Sequence, residues 1–590
     1  MRDKLVKRWT LTPINEDEVE SPLFAVSKVR DALFGSSYDW PTGLEELVRQ
    51  CGASYLDCTE ERTMERILEK VSDGDWLLIT RTPFAPLGRK RDALPDGHFY
   101  LPKPSAPSPE QQRPEPAHLV KQRIVLRLGG THNNAANSAL GLLCGAQHPI
   151  AEEDLEASCK PYIRDPESSY GNGVTNIKLL HELYPQTPKI PPNSAARLAH
   201  RRIYIAGIGT QSGEEDNLFS GATGLGAAGV AGKVRQAFED IQTTCHRFIG
   251  ENPDYEIESL TLDIFGFSRG AAAARHFANQ VAKGRNGPLS IMFPDTSGTF
   301  GAELTGRYGL SVRIAFIGLY DSVASTAGLA NLGNVRSPNS PLQLYLPPKD
   351  FPVVVHLVAR DEYRANFALN STAPDHLELA LPGAHADLGG GYVADVEECL
   401  LVSPMQALEV PRQTDVRHTS IYRDAERARA AWLAKGWPAE MLAIVTPDAR
   451  PLPPDPLDRH APPRKRVYAA LQLKRRVRGE LSRVYLRLMH RLAQQHGVRF
   501  DPIDEHDPNL SVPPELRPLC QRIIAGDYRA TPDEERMLKL SYIHCSAHWN
   551  PPMRLQGQTP RTGMALTFIN APTVDGRRVI HPHSLSRSQD

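Results

Sequence analysis

The stretch Leu260-Thr-Leu-Asp-Ile-Phe-Gly266-Phe267-Ser268-Arg269-Gly270-Ala-Ala-Ala-Ala-Arg275 decides how this chain is read. An apolar run passes straight into G-x-S-x-G, and an alanine-rich helix former follows without a gap. A nucleophilic serine needs that order, because it must sit on a sharp strand-to-helix turn with its hydroxyl held above the end of a sheet. Glycines two residues either side let the backbones approach closely. The N–H of Arg269 then stands at a helix N-terminus, a place suited to a developing oxyanion. A chance match in a surface turn is the plain alternative, but such a turn would lack the strand before it and the helix after it.

A serine nucleophile also needs a base and an acid that orients the base, in the order Ser…Asp/Glu…His for hydrolases with this turn. Ile314-Ala-Phe-Ile-Gly-Leu-Tyr-Asp321-Ser-Val323 puts Asp321 at the carboxyl end of an apolar strand, where site residues of open α/β sheets gather. The histidine candidates are His356 inside a strand, His376, and His385 in Leu381-Pro-Gly-Ala-His385-Ala-Asp387-Leu-Gly-Gly-Gly-Tyr392. His385 fits best, since it follows a strand and lies in a glycine-rich loop able to place it over the sheet edge. Alone, Asp321 reads as a helix cap and His385 as a loop histidine. Behind the elbow and in this order, Ser268, Asp321 and His385 read as a catalytic triad. The second oxyanion donor should come from a loop after an early strand. Ile124-Val-Leu-Arg-Leu-Gly129-Gly130-Thr131-His-Asn-Asn134 supplies one, so the backbone N–H of Gly130 or Thr131 joins that of Arg269; the bland reading of the two glycines is a turn.

Working outward, residues 124–128, 203–208, 260–267, 312–320, 352–359 and 377–381 form short, almost continuously apolar runs. These suit central strands of a mostly parallel sheet covered on both faces. Residues 227–248 and 269–281 between them read as helices. The alternation predicts an α/β class, three-layer domain of the α/β-hydrolase type with a mostly parallel central sheet. An N-terminal α+β region and a helical and irregular C-terminal region flank it.

The chain has 590 residues, 41% of them apolar, with 68 basic against 69 acidic side chains and a net charge of −1. That balance excludes a nucleic-acid coat and a disordered acidic chain. The 50 prolines exceed ordinary usage, and many fall near residues 102–116 and 451–463. The domain plan is therefore 1–100 an accessory region for docking or delivery, 101–118 a Pro-rich linker, 119–400 the catalytic domain, and 401–590 a C-terminal lid or membrane-contacting region. No secretory signal follows Met1-Arg-Asp-Lys-Leu5, and no run is long enough to span a bilayer. Synthesis in the cytoplasm is expected. The eight cysteines are scattered without a C-x-x-C pair and read as reduced thiols.

With these residues assembled, the domain resembles the type VI secretion lipase effectors of the first Tle class, an α/β-hydrolase family. Gly129-Gly-Thr-His-Asn-Asn134 matches its FDGTxNN motif, and Thr175-Asn-Ile-Lys-Leu179 matches a Thr-Asn-Val-type helix start. Tyr204-Ile-Ala-Gly-Ile-Gly-Thr210 and the glycine-rich residues 221–232 follow in order, then the unaltered GFSRGA at Gly266 to Ala271. Asp321-Ser-Val323, the segment from His356 to Glu362 with Arg364 and Phe367, and the PGAHxDxGGGY loop from Pro382 to Tyr392 complete the series. The sequence departs at Gly129, where the family has aspartate, and at Arg127-Leu128, where it has aromatic residues. The resemblance implies a phospholipase that cleaves acyl esters of a rival cell's membrane glycerophospholipids. It implies secretion by the type VI machinery into the target-cell periplasm, with a secretion spike component and an immunity protein as partners. It carries the nucleophile to Ser268, the acid to Asp321 and the base to His385.

Other constellations compete. A serine esterase for small soluble esters keeps the same triad, and an inactive hydrolase-like binding module keeps only the fold. Gly224-Leu-Gly-Ala-Ala-Gly229 matches a dinucleotide fingerprint, but it stands too far from the preceding strand. His544, Cys545, His548, His581 and His583 lack ligand-motif spacing, so no metal site is expected. The triad chemistry requires no cofactor, and calcium dependence is left to assay. Residues 459–491 carry eleven Lys/Arg against Glu480, with Leu473, Val477, Leu481, Val484, Leu488 and Leu492 at spacings of three and four. This reads as one basic amphipathic helix packed on the core, or else resting on an anionic membrane. No nucleic-acid partner is expected, because no groove-reading module accompanies the basic run.

Overall fold

The computed structural model describes residues 8–14, 76–82 and 99–101, and then 118–584 except for 130–132, 149, 166–167, 188, 191–197, 209, 211–228, 290–311, 325–341, 455–461 and 552–569. The chain forms two compact units, 1–115 and 116–590. In the first, β1 (Arg8–Ile14), β2 (Trp76–Thr82) and β3 (Phe99–Leu101) make an antiparallel sheet in that order. The rest of the accessory region and the proline stretch 102–116 lie outside the described residues.

The second unit is built on a six-stranded sheet in the order β10-β8-β7-β6-β4-β5. Its strands are β4 (His118–Leu128), β5 (Leu198–Ile205), β6 (Tyr255–Phe267), β7 (Val312–Tyr320), β8 (Val354–Ala359) and β10 (Leu377–Leu381). Every neighbouring pair is parallel. Among the described residues, the helices of this unit are α1 (Ala135–Leu143), α2 (Asn176–Glu182), α3 (Val230–Glu251), α4 (Arg269–Ala282), α5 (His385–Gly389), α6 (Ser420–Ala434), α7 (Leu481–Gln495), α8 (Arg517–Ala525) and α9 (Pro532–Ser541).

Alternation along β6 explains why the sheet is covered twice. Leu260, Leu262 and Ile264 enter a core with Val234 and Phe238 of α3 and Ala274 and Phe277 of α4. Phe265 and Phe267 point the other way, into a core with Ile177 and Leu180 of α2 and Val484, Tyr485 and Leu488 of α7. Parallel strands buried on both faces require such near-continuous apolar sequence. After β4 the chain moves outward to β5 and then returns past β4 to β6, so the winding reverses between β4 and β6. The crevice beyond the carboxyl ends of strands at such a reversal is the usual ligand site of open α/β sheets. Gly129 leaves β4 there, and Ser268 leaves β6.

Two expectations are corrected. Residues 464–478 are strand β15 (Arg464–Arg478), not the first half of a helix. β11 (Asp395–Leu401), β12 (Gln406–Pro411), β13 (Leu442–Val445) and β14 (Arg450–Pro451) all pair antiparallel with it. The helical and irregular C-terminal region therefore holds a five-stranded sheet. Val467, Ala469, Leu471, Leu473, Arg475 and Val477 are buried, which is period two. The spacing of four from Leu473 to Val477 fits both a strand and a helix, and β15 ends just before α7 begins. The second correction concerns cysteine: Cys144 is bonded to Cys159, beneath Ala146, Ile163 and Tyr170. A separation of 15 residues carries no sequence signature of its own. Cys245, Cys399, Cys520 and Cys545 are free.

Candidate active site

Ser268 is the N-cap of α4, with φ 58° and ψ −129°. Its only companion among the described non-glycine residues with positive φ is Asp321, at φ 42°. Backbone of this kind costs about 1–3 kcal/mol per residue and persists only where the surroundings enforce it. The enforcement is visible here. The Ser268 N–H donates to the Tyr320 carbonyl at 3.0 Å, and the Val323 N–H donates to the Ser268 carbonyl at 3.3 Å. Ser268 is thus tied to the chain on either side of Asp321, whose own N–H donates to the Leu357 carbonyl at 2.8 Å. The flanking glycines are needed for approach rather than for dihedral freedom. A Cβ on Gly266 would stand 2.5 Å from the Gly270 carbonyl oxygen, and one on Gly270 would stand 2.3 Å from that of Gly129.

Asp321 is fully buried and accepts four donors. Oδ1 takes the Ala359 N–H at 3.0 Å and Arg578 Nη1 at 2.6 Å. Oδ2 takes Arg578 Nη2 at 2.8 Å and is hydrogen-bonded to His385 Nδ1. Burial alone would raise the carboxyl pKa, but Arg578 and His385 outweigh it and hold it far below the usual range. His385 opens α5, with the Phe267 ring 4.6 Å away and the Phe367 ring edge-on at 5.0 Å. Burial pushes the His385 pKa down, against the opposing pull of Asp321. The imidazole is therefore neutral around neutral pH, with Nδ1 committed to Asp321.

A second layer of pairs fixes these groups. Glu362 accepts from the His385 N–H at 3.3 Å, from Ser546 Oγ at 3.0 Å and from Arg364 Nε and Nη2 at 3.0 Å each. Burial opposes ionisation of Glu362, yet Arg364 carries its pKa down to about 2. Asp387 closes the histidine turn by accepting the Ala384 N–H at 2.8 Å. His544 Nδ1 meets the other Asp387 oxygen at 2.7 Å, and the His544 ring stacks on Tyr392 at 3.6 Å. His544, weighed from sequence as a metal ligand, is thus a prop for the loop that carries His385. Among the described residues, no group of three His, Cys, Asp or Glu side chains is placed to hold a metal ion.

The other histidine candidates serve elsewhere. His356 Nε2 accepts the Ser322 N–H at 3.0 Å while Nδ1 meets Glu378 at 3.0 Å, which steadies the turn behind Asp321. His376 is bonded to the Leu346 carbonyl. Gly130 and Thr131, the proposed second oxyanion donors, lie outside the described residues, as do residues 221–228 of the glycine-rich loop. The neighbours of that first loop are clear: Gly129 N–H donates to the Ile205 carbonyl, and Asn134 Oδ1 caps α1 through the Ala136 and Asn137 N–H groups. Sequence reasoning missed Arg578 altogether. It named Glu362 and Arg364 only as parts of a motif.

No protein-family model matches the chain, and no curated protein matches it. Among solved structures, the chain is similar to the Tle1 effector bound to the VgrG spike from the type VI secretion system. That likeness has 29% identity over 79% of this chain and 95% of that one, with a TM-score of 0.59. An uncharacterized protein from Pseudomonas aeruginosa also matches, at 19% identity and a TM-score of 0.25 over 48% of this chain and 42% of that one. In sequence and in fold, this chain resembles the Tle1 effector of the type VI secretion system.

Proposed function

We propose that the chain is a serine hydrolase of the α/β-hydrolase type that cleaves acyl esters of membrane glycerophospholipids, with Ser268, His385 and Asp321 as its triad. The observation that carries this reading is the buried Asp321–His385 pair beside a serine on a left-handed strand-to-helix turn. In this mechanism Ser268 Oγ attacks the ester carbonyl while His385 Nε2 takes its proton. Asp321 holds the Nδ1–H and stabilises the imidazolium. Backbone N–H groups of Arg269 and of Gly130 or Thr131 receive the oxyanion. Collapse breaks the bond to the glycerol oxygen, and His385 returns the proton to that leaving alcohol. Water then attacks the acyl-enzyme by the same route and releases the fatty acid. No metal enters these steps, and added calcium in the assay tests that assignment.

The substrate class rests on the likeness to the Tle1 effector. That protein is bound to the VgrG spike in its solved structure. The same reading assigns this chain a spike partner, delivery by the type VI machinery, a target-cell membrane and an immunity protein. Product analysis on vesicles of defined phospholipids tests it. Wild type should release fatty acid and lysophospholipid, and Ser268→Ala should fall by about three orders of magnitude or more. Equal activity in the two proteins would overturn the triad. Turnover of monomeric short-chain esters alone would overturn the phospholipid assignment.

A further inference from the structure

Asp321 shares its two oxygens between His385 and Arg578, and this sharing has consequences for the base. Arg578 comes from the far end of the chain, where β16 (Ile580–His581) pairs in parallel with β9 (Leu369–Asn370). Its Nε donates to the Phe367 carbonyl at 2.7 Å, and both Nη groups grip Asp321. The guanidinium is nearly buried. The charged groups around His385 come from several elements. Asp321 follows β7, Glu362 and Arg364 follow β8, and Arg578 precedes β16. Asp387 on α5 itself is engaged by His544. The His356–Glu378 pair stands behind Asp321. Among the described residues, the ring contacts of His385 are with Phe267, tilted at 4.6 Å, and Phe367, edge-on at 5.0 Å.

We propose that Arg578 is a positioning residue for the hydrolysis described above, an inference that rests on that reading. It locks the Asp321 carboxylate for His385, and it cancels enough of its charge for the imidazole to remain a free base into mildly acidic solution. Asp321 and Glu362 are offset by Arg578 and Arg364, so the ring sits in a balanced field. An unopposed carboxylate in this dry site would favour the imidazolium, and a protonated His385 cannot take the Ser268 proton. Removing the positive charge at 578 should therefore raise the pKa of His385. Removing the negative charge at 362 should lower it. A purely structural role predicts slower turnover with no such pair of opposite shifts.

The test is the pH dependence of kcat/KM for a p-nitrophenyl ester, measured on the full chain. Wild type, Arg578→Met, Arg578→Lys and Glu362→Gln are compared, with Ser268→Ala as the blank. The acid limb should move up by about one pH unit or more in Arg578→Met. It should stay near the wild-type position in Arg578→Lys and move down in Glu362→Gln. An acid limb that does not move in Arg578→Met, or that moves down, overturns the inference while leaving the hydrolase intact. If Arg578→Met does not fold, Glu362→Gln decides, and an unmoved or raised limb overturns the inference. A wild type without Ser268-dependent turnover overturns the proposed function, and the inference with it.

Discussion

At position 127 a guanidinium lies wholly buried between the rings of Tyr184, Phe265 and Phe500, 5.3, 5.4 and 5.7 Å from their centroids. None of its three nitrogens has a hydrogen-bond partner among the described residues. The nearby carboxylate of Asp263 is already held at both oxygens by Arg123. Burial brings the Arg127 pKa down to about 9. Cation–π contacts return about 2 kcal/mol when desolvated, against several kcal/mol for burying an unpaired charge. Arg127→Met should therefore stabilise the protein by about 1–3 kcal/mol in urea unfolding. A loss of stability would show that the charge has a partner role. Single residues also show what was legible locally. Ser268, Asp321 and His385 each stand in a telling context: after a strand, at a strand's end, in a glycine-rich loop. Arg578 stands in Asp575-Gly-Arg-Arg578, an ordinary polar turn, and only tertiary structure gives it Asp321.

Among the elements, β6 and α4 follow their sequence closely because a strand apolar on both faces and an alanine-rich helix have distinct patterns. The junction between them depends on backbone contact. A Cβ on Gly270 would meet the carbonyl oxygens of Gly129 at 2.3 Å and Leu128 at 2.4 Å, neither able to step aside like a side chain. Gly270→Ala should cost about 1–3 kcal/mol in overpacking and slow hydrolysis by displacing the Arg269 N–H. Wild-type stability and turnover would contradict that account. β15 departs from its helical pattern for an equally physical reason. Leu473 and Val477 satisfy both periodicities, and Arg475 disguises a buried position. Arg475 binds Glu398 at 2.8 Å and the carbonyls of Lys539 and Ile543 at 2.6 Å each. A buried arginine with such partners belongs to a core that the sequence pattern counts as surface.

Across the whole second unit, the site is assembled from segments hundreds of residues apart. α7, beyond residue 400, covers one face of the sheet that carries Ser268. The strap from 570 to 584 lies across the acid. The Ala365 and Leu369 N–H groups donate to the carbonyls of Ala571 and Val579, both at 2.9 Å, and His583 Nε2 accepts the Leu346 N–H at 3.0 Å. Ending the chain after Pro551 removes Arg578 and these bonds together. Ester hydrolysis should then fall at least about a hundredfold, while far-ultraviolet circular dichroism retains the α/β signal. Undiminished turnover would show that the strap is dispensable. Such long-range closure leaves no local trace, so the sequence placed the layers of the sheet better than it placed the chain that completes them.

The central claim is that Ser268 is an activated nucleophile, and covalent capture reads this most directly. The full-length protein is treated with a fluorophosphonate probe, digested, and mapped by mass spectrometry, beside Ser268→Ala and His385→Ala. The account predicts a single phosphonyl adduct on Ser268, absent from Ser268→Ala, formed at least about a hundredfold more slowly in His385→Ala, and suppressed by phospholipid vesicles. An unlabelled Ser268, or an adduct at another residue that survives in Ser268→Ala, would contradict it.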